Sequence, residues 1–162
     1  MIASAHIAAG VVIGLVATRF MEWRPGRVLA ALPAGVLVHL AIDFVPHADY
    51  NDIVGRPLLA IVGVELMVTG AILFVLLRHR APVGWFPPVA SGVVGSALPD
   101  VKFFAPLVMP PDVAAHATEL GERLHHAIHA PRPPFVVGTA TQVVGTLLLL
   151  LFLAAFPGTR SR

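Results

Sequence analysis

The chain contains no cysteine, which removes disulfides and thiolate metal sites and leaves nitrogen and oxygen as the only ligands it could offer an ion. Charge is scarce as well. Only 12% of the 162 residues are Asp, Glu, Lys or Arg and the mean hydropathy is +0.83, values that exclude an ordinary soluble domain. No basic residue precedes the first apolar run, so that run reads as a retained helix and not as a secretory signal. No nucleic-acid motif and no serine in a nucleophile motif occurs.

What the chain does contain is apolar sequence in runs of about 17 to 25 residues, the length a helix needs to cross the hydrocarbon core. Five such runs are predicted as spans: Ile2 to Thr18, Val28 to Val45, Pro57 to Leu77, Val83 to Pro99 and Pro134 to Phe156. The fourth carries Pro87, Pro88 and several glycines, so it is expected to be broken or partly re-entrant. The expected fold is a single all-α integral membrane domain over residues 1–162, a bundle of about five transmembrane helices with one outer interfacial amphipathic helix near 112–130.

Arginine position orients this bundle, because Arg and Lys are kept on the cytoplasmic side of short loops. The segments after the first, third and fifth spans hold Arg19, Arg24, Arg27, Arg78, Arg80, Arg160 and Arg162, whereas the other side carries most of the acids. The expected topology is N-terminus out and C-terminus cytoplasmic in the plasma membrane. The sequence pI near 9.9 then reflects an arginine collar suited to anionic lipid headgroups.

In that orientation the candidate metal ligands gather on the outer face. The second span closes with HxxxDxxPHxD: His39, Asp43, His47 and Asp49. His39 and Asp43 are i and i+4 and project from one helical face within reach of a common ion, and Pro46 ends the helix and turns His47 and Asp49 back toward it. His6 lies about one turn into the first span, and Asp100 ends the fourth. AGVLVHLAID and SGVVGSALPD form a weak internal echo, with Gly35 preceding Asp43 by the interval at which Gly92 precedes Asp100. Each version delivers a carboxylate from a helix whose glycine permits close packing.

Residues 101–133 are too polar and proline-broken to cross, but their second half has helical periodicity. Asp112 is the expected N-cap, and Val113, Ala117, Leu120, Leu124 and Ile128 form an apolar stripe. Glu122, His125 and His129 share an adjoining face at the spacing of two metal ligands with a carboxylate partner. The bland alternative is an interfacial helix with solvated histidines, the reading given to His116 and His79. Glu65, about 12 Å into the third span by helical rise, is either a hydrogen-bonded structural acid, with Thr69 as one partner, or a ligand or general base of the same site.

An N-terminal His in an AHxxAG context, the HxxxDxxPHxD ending, the PD ending at Asp100 and a His-rich segment before a final helix together resemble the family of membrane-bound metal-dependent hydrolases. The resemblance spreads over most of the chain. It implies metal-site positions at His6, Asp100 and His125 to His129. The family's histidine segment usually includes an HR pair followed closely by TH, where this chain has LHHAIHA.

The implied chemistry is hydrolysis of a lipid or lipid-linked phosphoester by water activated on a divalent metal, zinc or manganese, at the outer membrane surface. Glu65 and Glu122 are the candidate catalytic carboxylates. His6, His39, Asp43, His47, Asp49, Asp100, His125 and His129 are the candidate metal ligands. Expected partners are membrane lipids and the substrate, with a homo-oligomer or a larger membrane complex as further options, and no nucleic acid. Two alternatives stand beside it. One is a non-catalytic membrane subunit binding a metal, lipid or partner, including a haem held by His6 and His39; the other is transport past Glu65.

Overall fold

The structure, a computed structural model, describes residues 3–45, 56–100, 105–106, 109–128 and 134–155. Among them the only regular elements are helices: α1 (Ala3–Phe20), α2 (Arg24–Asp43), α3 (Arg56–Arg80), α4 (Phe86–Ala97) continued by a 3₁₀ turn (Leu98–Asp100), α5 (Pro111–Ile128) and α6 (Phe135–Ala155). The chain is therefore all-helical. Two of these helices, Arg24–Asp43 and Val136–Ala155, are long and apolar enough to cross a membrane, and Ser4–Phe20 is a shorter apolar helix.

This corrects the expectation of about five spans. α4 has 12 residues, about 18 Å of helix against roughly 30 Å of hydrocarbon. Its two prolines explain why this helix is short. Pro87 and Pro88 fall in the first turn, where a missing N–H is harmless and the fixed φ favours helix initiation, so they start the helix at Phe86 instead of interrupting a longer one. Asp112 is likewise placed inside the first turn of α5, not at its cap.

α1 is the central helix. It packs against α2, α3, α4 and α6, and its residues are buried or half-buried from Ser4 to Thr18. α4 is wedged beside it by glycines. A methyl group at Gly92 would strike the carbonyl oxygen of Gly10 in α1, and one at Gly95 would strike the carbonyl oxygen of Leu32 in α2. Only residues without a side chain permit three backbones to approach this closely. At the α1–α2 junction, Arg27 Nε donates to the Met21 carbonyl at 2.6 Å and satisfies an acceptor just beyond the end of α1.

The interior divides into two halves. Val11 and Leu15 of α1 form an apolar core with Leu73, Val89 and Leu153, at the ends of α3 and α6 and the start of α4. The other half is polar: Ser4, His6, His39, Asp43 and Ser96 are buried around the start of α1 and the ends of α2 and α4. Outside, the pattern inverts. α2 buries the one-face series Ala31, Gly35, His39 and Asp43 while Leu37 is 67% exposed, and α3 leaves Met67 and Phe74 exposed. Among the described side chains of α5 the buried residues are Ala114 and Gly121, whereas Val113 and Leu120 of the expected stripe face outward.

Candidate metal centre

Three helix ends converge on one cluster. His39 and Asp43 are one turn apart on the buried face of α2, and the α1–α4–α2 glycine packing brings His6 and Asp100 to them. His39 Nε2 lies 3.1 Å from Asp43 Oδ2 and 3.9 Å from Asp100 Oδ1. His6 Nε2 lies 3.6 Å from Asp43 Oδ1, so one carboxylate addresses both imidazoles with its two oxygens. The rings of His6 and His39 are stacked, with centroids 3.8 Å apart and planes inclined by 17°.

Burial is nearly complete at the centre and relaxes on one side. The side chains of His6, His39 and Asp43 are 3–4% exposed or less, whereas that of Asp100 is 25% exposed. Asp100 therefore marks the accessible side. α5 packs against the 3₁₀ turn that carries it.

The hydrogen bond on the far side of His39 fixes its tautomer. Nδ1 lies 2.6 Å from the carbonyl oxygen of Ser96, which can only accept, so Nδ1 carries the hydrogen and donates it. Ser96 is itself held, its hydroxyl donating to the carbonyl of His6 at 2.8 Å and to that of Val93 at 3.0 Å. In the neutral ring, Nε2 is then a lone pair aimed at a carboxylate oxygen. Two lone pairs that close need something between them, a proton carried by Nε2 or by the carboxyl oxygen, or a metal ion.

The donor set fits an ion. One ligand atom each from His6, His39 and Asp43 can be chosen so that all three lie within 4.8 Å of one another, and ligands at about 2.0–2.2 Å around a tetrahedral zinc sit roughly 3.3–3.6 Å apart. A backbone carbonyl holding the remote N–H of a ligating imidazole is the usual outer-shell arrangement of metal-bound histidine. The cluster could therefore hold a metal ion. Haem is another matter, because stacked rings 3.8 Å apart leave no slot for a macrocycle between two axial nitrogens.

The remaining sequence candidates fall elsewhere. His47, Asp49 and His129 lie outside the described residues, and His125 is described only as part of the α5 backbone. Glu122 is exposed on α5. Glu65 Oε1 accepts the backbone N–H of Ser4 at 2.9 Å, which places this acid at the start of α1, where it satisfies one of the helix's open donors. Ser96 was not among the sequence candidates. Its signal is a hydroxyl four residues before Asp100 in a segment otherwise made of small and apolar residues.

Comparison of the chain with protein families, with curated proteins and with solved structures finds no match.

Proposed function

We propose that the protein is a membrane-embedded, metal-dependent hydrolase of a lipid or lipid-linked phosphoester. The observation that carries this reading is the buried His6–His39–Asp43 cluster with His39 Nε2 turned toward Asp43 by the Ser96 carbonyl. Buried ionisable groups without an evident stabilising role mark functional sites.

Membrane location is supported by the inverted polarity of the bundle. Apolar residues such as Leu37, Phe74 and Leu151 are on the outside and, among the described residues, His39 and Ser96 are the largest fully buried side chains, an arrangement that costs a great deal in water and little in hydrocarbon. α2 and α6 cross, α3 has the length to cross at 25 residues, and α1 and the short α4 complete the bundle. The arginine distribution supports a location of the cluster at the outer surface of the plasma membrane.

Within the site, His6, His39 and Asp43 would hold the ion, zinc or manganese, and Asp100 stands on the accessible side. A bound divalent ion supplies the Lewis acidity that turns water into a nucleophile near neutral pH and offsets charge on the phosphoryl oxygens. Asp100 is placed to accept the proton of an entering water. Asp43 keeps both imidazoles in register, and Ser96 keeps His39 in the ligating tautomer. Glu65 and Glu122 receive no part in holding the ion.

The test is release of the esterified group from lipid vesicles by purified protein, with and without added zinc or manganese. Turnover that needs the metal, and that His39→Ala and Asp100→Asn remove, supports the reading; metal-independent turnover contradicts it. A second reading has one observation in its favour. The 3.1 Å separation of His39 and Asp43 also suits a protonated imidazole paired with a carboxylate, which would make the cluster the fastening of a non-catalytic membrane subunit.

A further inference from the structure

A groove runs between α1, α2 and α6, with a volume of about 500 Å³ and walls that include Ala5, Ala9, Val38, Ile42, Leu148 and Phe152. These walls are sequence neighbours of the cluster. Ala5 precedes His6, Val38 precedes His39 and Ile42 precedes Asp43. Val45, two residues beyond Asp43, also lines it, so one end of the groove opens at the end of the bundle where the cluster lies. Its polar members, Thr141 and Gln142, are adjacent on α6; the remainder of its length is apolar.

Size and surroundings select the occupant. Along α6 the groove extends from Thr141 to Phe152, about 16 Å by helical rise, which is close to half of the roughly 30 Å hydrocarbon thickness and so to the depth of one leaflet. The flanking residues Leu37, Val144 and Leu151 are exposed and apolar, making the groove continuous with the surface assigned to lipid. At Gly145 it is open, since a methyl group added there would meet nothing within 4 Å.

We propose that this groove holds one acyl chain of the lipid whose ester-bearing end is presented to His6, His39 and Asp43. The inference rests on the hydrolase reading for the second half of that statement and on the groove alone for the first. Burial of the chain would hold a headgroup beside the cluster and restrict substrates to esters with a long apolar tail, converting an encounter in the bilayer into a positioned one.

The test is photolabelling of the full-length protein in phosphatidylglycerol vesicles doped with phosphatidylglycerol that carries a diazirine midway along one acyl chain. Adducts are mapped by peptide mass spectrometry, and metal content is measured on the same samples. Adducts should concentrate on the groove-lining segments of α1, α2 and α6. Gly145→Phe, and Gly145→Leu as a milder variant, should reduce them by roughly fivefold or more by filling the groove. Gly70→Phe adds the same bulk at another open glycine, on exposed α3, and should leave them unchanged. Equal labelling of α3 around Met67 and Phe74, or labelling indifferent to both Gly145 variants in protein that retains its fold, overturns the acyl site. Groove labelling in protein that binds no metal would instead overturn the hydrolase reading and leave the lipid site standing.

Discussion

His39 and Ser96 are 57 residues apart in sequence, yet the imidazole of one donates to the backbone carbonyl of the other at 2.6 Å across the α2–α4 interface. The bond depends on backbone proximity that Gly35 and Gly95 allow, and it decides which nitrogen of His39 is available to an ion. Helix packing and ligand chemistry are coupled at this point.

That coupling predicts the effect of enlarging a glycine remote from the ligands. Gly95→Leu would drive a side chain into the backbone of Leu32 and should cost about 1–3 kcal/mol by overpacking. Because α4 also carries Ser96 and Asp100, metal affinity should fall along with thermal stability in detergent. Gly63, whose added methyl group meets nothing within 4 Å, provides the matched control. Gly63→Leu should change neither quantity.

Glu65 separates a structural acid from a ligand. Glu65→Gln retains a carbonyl oxygen for the Ser4 N–H and should keep both stability and metal content. Glu65→Leu leaves that donor without its partner and should lower stability by about 1–2 kcal/mol, again with the metal retained. Loss of metal in Glu65→Gln would show that the carboxylate acts on the site.

Topology can be read by single-cysteine labelling, since the chain has no cysteine of its own. With a membrane-impermeant maleimide on intact cells, His116→Cys on exposed α5 should react from outside. Arg78→Cys should react only after the membrane is permeabilised. Leu37→Cys and Phe74→Cys, exposed on the bundle but assigned to lipid, should react in neither case. Reaction of the latter two at rates comparable to His116→Cys would place the bundle in water.

Much of this architecture is legible in the residues. The apolar runs match the helices to within a few positions, and the i, i+4 spacing of His39 and Asp43 places both on one face, as found. The paired glycine-to-aspartate intervals correspond to two helices in contact, with Gly35 against the backbone of Gly92 and Asp43 and Asp100 both beside His39. Hydropathy alone overstates the length of the fourth helix because it does not distinguish prolines that begin a helix from prolines that break one. The contact of Ser96 with His39 is made by a backbone carbonyl, which leaves no trace in side-chain patterns; only its hydroxyl, which donates to the His6 carbonyl, is visible in the sequence. Glu65, expected either as a hydrogen-bonded structural acid or as a group of the site, accepts the Ser4 N–H at the start of α1, a partner on a different helix that spacing along α3 does not reveal.

Whether His6, His39 and Asp43 hold an ion or only a proton is decided by elemental analysis of the protein purified without chelators, beside His39→Ala and Asp43→Ala prepared in the same way. The unaltered chain should carry about one zinc or manganese per cluster, and each variant should lose metal affinity by roughly 10- to 100-fold or more. An unaltered chain that carries no stoichiometric metal, or variants that keep the same content, would contradict the metal site and leave the cluster as a buried ion pair.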